Sequence, residues 1–203
     1  MNVLKPKLLS SLGRRVARVD RLLLLSIDSN SILALEEYND ELVHLKGDSL
    51  GSLIEEAERA MLVAGESPRW VNPRLARGDQ FFGWRAGSRI ACFGWVTFNS
   101  RFVGPLRLSD AKSRAFLYNF YTMPESRGVG LYPKLLRRAV INLREQGISE
   151  VLIDVNSSNK ASLRGIIGVG FEPLGCIDLL VIGDRWRVVS RKRLFRRLGF
   201  EVW

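Results

Sequence analysis

Apolar positions along this chain repeat with two different periods, and each change of period predicts an element. Residues 21–28 and 41–46 carry apolar runs of strand length, with the turn cluster Asp28-Ser29-Asn30-Ser31 between them. Leu50, Leu53, Ile54, Ala57 and Met61 then recur at helical spacing, and Gly65 follows as a stop. Residues 67–73, with two prolines, predict a loop or a short broken helix. Residues 80–85 and 90–98 flank Ala86-Gly87-Ser88-Arg89 as a hairpin, and 101–106 read as a loop or ragged strand. The run 116–121 predicts a buried strand, and Leu131, Leu135, Leu136, Ala139 and Leu143 mark a helix that Gly147 ends. A second short strand is predicted at 151–155 and a second short helix from Asn159. Residues 175–182 and 186–190 flank Gly183-Asp184 as a further hairpin. This order predicts an α/β (α+β) fold, a mixed central sheet with helices on both faces.

The ends of the chain differ from the middle. Leu8, Leu9, Leu12, Val16 and Val19 share a helical face opposite Arg14, Arg15 and Arg18. Residues 1–20 are therefore expected to form a basic amphipathic arm, and 21–203 a single domain whose tail, 191–203, is helical and basic. At 203 residues and 46% hydrophobic content, one domain with an ample core is expected.

Charge adds a partner class. The net charge is +10, and the basic residues crowd both termini. Such a field favours polyanions: CoA, an acidic protein or an anionic lipid surface, with nucleic acid the least expected. No apolar run approaches the roughly 20 residues that span a bilayer, and the N-terminus lacks a secretory h-region. A cytoplasmic protein is expected, with the inner membrane surface as a peripheral docking place. Cys92 and Cys176 are isolated, which suits buried thiols, and the single histidine, His44, leaves no multi-histidine metal site. No metal is expected.

The chemistry concentrates where the strand 116–121 turns into the helix that follows. Arg127-Gly128-Val129-Gly130 allows a tight turn that exposes main-chain N–H groups at a helix N-terminus, a natural anion site. Pro133 suits that first turn, where its missing N–H costs nothing. A dinucleotide fingerprint would need glycine at 133, and a P-loop would need Gly-Lys-Ser/Thr; neither is present. Arg127-Gly128-Val129-Gly130-Leu131-Tyr132 resembles the acyl-CoA loop, Arg/Gln-x-x-Gly-x-Gly/Ala, of the Gcn5-related N-acetyltransferase (GNAT) superfamily, with Tyr132 where the family has a small residue. Downstream, Asn159-Lys160-Ala161-Ser162 and Gly170-Phe171 are similar to that family's second motif in type and spacing.

The resemblance implies a GNAT fold in which parallel strands at 115–122 and 150–155 splay apart. It implies acetyl-CoA (acyl-CoA) as donor, with its diphosphate on the amides of 128–132 and its pantetheine arm between the strands. Tyr121, Thr122, Met123, Arg127, Gly128, Val129, Gly130, Leu131, Tyr132, Asn159 and Ser162 would bind it. The expected activity is acetyl transfer to a primary amine of a small molecule, such as an amino sugar, by direct attack on the thioester. Two alternatives stand beside it: an acyl-carrier protein as donor, and a CoA-binding module without turnover. The family's glutamate on the first strand falls at Phe116 here, and its tyrosine after the asparagine falls at Ile166. Strict alternation along an ideal strand puts Asn119 and Tyr121 on one face and Tyr118 on the other. Asn119 and Tyr121 are therefore the expected catalytic residues, with Tyr132 and His44 as lesser candidates.

Overall fold

The apolar runs become strands and the 3.6-residue repeats become helices in a computed structural model that describes residues 17–32, 42–47, 49, 51–98, 106–108, 113–182, 185–188 and 200–202. The strands are β1 (Ala17–Asp28), β2 (Leu42–Leu45), β3 (Gln80–Ala86), β4 (Arg89–Thr97), β5 (Leu106–Leu108), β6 (Arg114–Thr122), β7 (Glu150–Asn156), β8 (Glu172–Ile182), β9 (Arg185–Val188) and β10 (Phe200–Val202). The helices are α1 (Gly51–Val63), α2 (Val71–Ala76), α3 (Leu131–Glu145) and α4 (Lys160–Val169), with 3-10 turns at Ser29–Ser31, Pro68–Trp70 and Pro124–Ser126.

An eight-stranded sheet runs β2-β3-β4-β6-β7-β1-β8-β9, while β5 pairs with β10 apart from it. Among the described pairings β6–β7 is parallel and the rest are antiparallel. One face carries the large core in which Leu135, Leu136 and Ala139 of α3 and Ile166 and Val169 of α4 meet Leu117, Val151 and Ile153. On the opposite face Ala57 and Met61 of α1 and Val71 and Leu75 of α2 close over Phe81, Phe93 and Trp95. The mixed sheet covered on both faces is the architecture the patterning predicts.

The ends depart from expectation. β1 starts at Ala17, so residues 17–19 are strand and a boundary at 20 cuts through a paired element. Ala17 to Ser26 lie along β8, which satisfies main-chain groups that helical periodicity alone would leave to a helix. Residues 200–202 likewise pair with β5 rather than continuing a helix. Residues 1–16, 191–199 and 203, the rest of the expected arm and tail, lie outside the described residues, as does the turn Gly183-Asp184.

Two irregularities in β6 create the site. The parallel ladder with β7 runs from Arg114↔Glu150 to Leu117↔Ile153 and then stops. On its other side β6 bulges: Phe93 pairs with Tyr121 and Trp95 with Tyr118, so Gly94 faces both Asn119 and Phe120. Asn119 sits at φ 51°, the left-handed region that asparagine tolerates better than most residues. Gly94 makes room for this, because a Cβ there would lie 2.4 Å from the Phe120 ring. Gly94→Ala is expected to cost about 1–3 kcal/mol, as overpacking in a close-packed interior does. A lowered denaturant midpoint with an unchanged m-value would show it.

Candidate active site

The chain leaves β6 through the 3-10 turn Pro124–Ser126 and enters α3 through Gly128 and Gly130, at φ 82° and 77°. A Cβ at either glycine would meet nothing within 4 Å, so the space above them is open. Among the described residues, the amides of Gly128, Val129, Gly130, Leu131 and Tyr132 make no hydrogen bond to protein. Pro133 contributes no N–H. These unbonded donors sit at the positive end of a 15-residue helix, beside the open space above the two glycines, which suits a diphosphate. The Arg127 amide is already bonded to the Pro124 carbonyl at 3.3 Å. Its guanidinium donates through Nε to the Thr122 carbonyl at 3.1 Å and lies 5.5 Å from the Tyr121 ring centroid.

A cavity of about 680 Å³ opens there, lined by Tyr121, Thr122, Arg127, Gly128, Gly130, Leu131, Tyr132, Asn159 and Ser162 among others. A smaller one, about 210 Å³, lies in the gap where β6 and β7 part, and Tyr118, Asn119 and Asp154 line it. Phe120, Tyr132, Asn159 and Ser162 border both, so the two cavities meet at these residues. Asn159 caps α4, its Oδ1 accepting the Ser162 amide at 3.1 Å.

Two expected binding residues lie off these walls. Met123 is buried in the α1–α2 core, and its amide donates to the Ala91 carbonyl at 2.9 Å. The Val129 side chain is 64% exposed and only its amide belongs to the loop. The expected alternation along β6 also fails, because the bulge at Asn119 resets it. Tyr118 and Tyr121 both pack against the α1–α2 core, while Phe120 packs against the α3–α4 core. Tyr121 thus lines the larger cavity and Asn119 the strand gap, so the two do not share one face. Ile166 is fully buried in the α3–α4 core. Ile166→Tyr is therefore expected to overpack that core and cost about 1–3 kcal/mol, read as a lowered denaturation midpoint.

His44 is part of the scaffold. It stacks on Phe82 with ring centroids 4.2 Å apart, and its Nε2 lies 2.8 Å from Gln80 Oε1. Gln80 continues to Gln146, at the far end of α3 from Gly128 and Gly130. Burial pushes the imidazole pKa below its ordinary value.

The residue that sequence patterning passed over is Asp154. It is the one charge inside the apolar run 151–155, and that interruption was the available signal. Its neighbours Ile153 and Val155 face the α3–α4 core, so Asp154 lies on the other face with Leu152. Burial there raises its carboxyl pKa to about 6. Tyr118 stands across the same gap, its hydroxyl donating to Asp79 Oδ2 at 2.7 Å. Beside it Asn119 Nδ2 donates to Glu66 Oε2 at 3.1 Å, and Arg74 pairs with that carboxylate at 3.3 Å. Glu66 and Arg74 flank the 3-10 turn Pro68–Trp70, whose Trp70 side chain stands 54% exposed. The described residues contain no helix long and apolar enough to cross a membrane.

Comparison with known proteins agrees with this geometry. The chain matches the family model described as acetyltransferase (GNAT) family over residues 51–166. No curated protein matches it. A structure described as a GNAT-family member from Novosphingobium aromaticivorans superposes with a TM-score of 0.59 at 21% identity, covering 83% of this chain and 66% of its own. An acetyltransferase of the GNAT family from Colwellia psychrerythraea gives 0.58 at 17%, covering 84% and 59%. A GCN5-related N-acetyltransferase from Kribbella flavida gives 0.55 at 17%, covering 86% and 63%. The chain thus spans less than two thirds of each of these proteins, and at such identities the likeness shows the fold. The family match across more than half the sequence, on this loop and this parted strand pair, makes the chain a member of the GNAT acetyltransferase family.

Proposed function

We propose that the protein is an acyl-CoA-dependent N-acetyltransferase that acetylates the primary amine of a small molecule, an amino sugar being the first to test. The observation that carries this is the row of unpartnered amides at Gly128–Tyr132, beside a cavity that meets the one in the gap between β6 and β7. When bound there, acetyl-CoA would supply the activated acyl group as a thioester.

The chain's own residues account for the rest. The amides and the dipole of α3 would hold the diphosphate, with the Arg127 side chain at the rim. Past Leu117 the edge of β6 facing β7 has lost its ladder, so its main-chain groups can align an extended amide-bearing arm. One N–H of that edge is the donor to a developing oxyanion. Asp154, in the same gap, would accept the amine's proton, and a pKa of about 6 leaves most of it ionised at pH 7 yet basic enough to act. Most of the remaining acceleration comes from positioning.

Two observations weigh against the other readings. Tyr132 turns inward to Ser162 rather than over the loop amides, so it does not crowd a nucleotide there, which favours CoA over an acyl-carrier protein as donor. Asp154 gives the gap a base, which weakens the case for a module without turnover. Isothermal calorimetry with CoA, followed by acetyl-CoA cleavage across an amine panel, tests the proposal. Saturable binding and amine-dependent thiol release are expected, whereas absence of CoA binding would reject it.

A further inference from the structure

Tyr132 occupies the loop position where a small residue would be expected, yet it leaves the amides open. The reason lies on the next helix. Its ring fits against Gly165 of α4, where an added Cβ would meet Tyr132 Cδ1 at 2.8 Å and Cε1 at 3.1 Å. On its other side the ring meets Phe120 of β6 edge-on, with centroids 5.8 Å apart. The Ser162 hydroxyl donates to the phenol oxygen at 3.1 Å, which leaves the phenol proton without a protein acceptor. All of these groups except Gly165 border both cavities, at the point where they join. Burial raises the phenol pKa well above its ordinary value, so it stays a donor.

From this interlock we infer that Gly165 is a positioning residue that holds Tyr132 off the diphosphate amides, and that Tyr132 there donates a hydrogen bond to a carbonyl of the pantetheine arm as it passes between the cavities. This rests on the proposed CoA site. A larger residue at 165 has no room beside the ring. It would push Tyr132 toward the loop, where a bulky side chain competes with the diphosphate. With Ser162 at its oxygen, the phenol sits where the two cavities join, the place the arm would cross.

Calorimetry with two probes, CoA and ADP, separates the parts, because ADP has the diphosphate but no pantetheine. Tyr132→Phe keeps the ring and removes the donor. It is expected to weaken CoA about 3- to 10-fold, the range of one hydrogen bond, while ADP affinity holds. Gly165→Val is expected to weaken both probes, and adding Tyr132→Ala to it should restore ADP. If Gly165→Val fails to fold, Tyr132→Phe and the double variant decide. The inference is overturned if Tyr132→Phe leaves CoA unchanged or weakens CoA and ADP alike. It is also overturned if Gly165→Val binds both probes as the wild type does, or if the double variant still binds ADP poorly. A wild-type chain that binds neither probe would instead reject the CoA site.

Discussion

Asp154→Asn is expected to lower kcat/KM by about 100- to 10,000-fold, the usual contribution of a general base, and at the same time to stabilise the fold. The two effects have one cause. A carboxyl pKa raised by burial from 3.8 to about 6 means that the folded protein resists the charge that the proposed base role requires. Below about pH 4 the carboxyl is protonated in both the folded and the unfolded chain, so it costs nothing. As pH rises from about 4 to 6 the unfolded chain ionises first, and stability falls. Above 6 the full penalty stands, on the order of 3 kcal/mol at 1.36 kcal/mol per unit. Asparagine removes that penalty, so the variant should unfold at higher denaturant at pH 7 and match the wild type near pH 3.5. Activity should mirror this. The wild-type kcat/KM profile should carry an acid limb near pH 6 that stays put when the acceptor amine is changed, while the amine's own limb moves with its pKa. The limb near 6 should vanish in Asp154→Asn. A variant that loses stability at pH 7, or keeps the limb, would remove Asp154 from the mechanism.

Gly130→Trp should abolish measurable CoA binding while leaving the chain folded. Gly130 is left-handed at φ 77°, so a side chain costs about 1–2 kcal/mol in strain, a fraction of the roughly 5–15 kcal/mol that holds a domain together. Nothing within 4 Å stops a side chain from occupying the space above the glycine, so the indole would fill the place assigned to the diphosphate. Hydrogen bonds to a charged group contribute about 1.5–3 kcal/mol each, and losing even two of them weakens binding more than 100-fold. Gly147→Trp is the matched control. Gly147 is also left-handed, at φ 82°, and also has open space, but it lies beyond the opposite end of α3. It should show similar strain and unchanged CoA affinity. Equal binding by the Gly130 variant would remove the loop from the site.

What could be read ahead of the structure follows from which interactions are local. The glycine turn into α3 was legible because its glycines, Pro133 and the helix repeat from Leu131 are neighbours in the chain, and each constrains the backbone directly. The parted strand pair was legible only through the family resemblance. The bulge was not legible, because it depends on Gly94 of β4 admitting the Phe120 ring, a contact between strands that no period along β6 records. That one extra residue turned Tyr118 to the face of Tyr121 and separated Asn119 from it. The strand at Ala17–Asp20 was missed for a similar reason: a short stretch beside Val19 fits either period, and pairing with β8 decided. Tyr132, standing where the resembled loop has a small residue, is accommodated by Gly165, a full element later, which supplies the space it needs. Asp154 did leave a mark, a lone carboxylate in an apolar strand, and lone charges of that kind are worth following into a fold.

The most direct test of the account is a ¹H–¹⁵N correlation spectrum of the labelled protein titrated with CoA. Saturable downfield shifts of the amides of Gly128, Val129, Gly130, Leu131 and Tyr132 are expected, with the Gly147 amide unmoved. Saturable binding that leaves those resonances in place, or no binding at all, would contradict it.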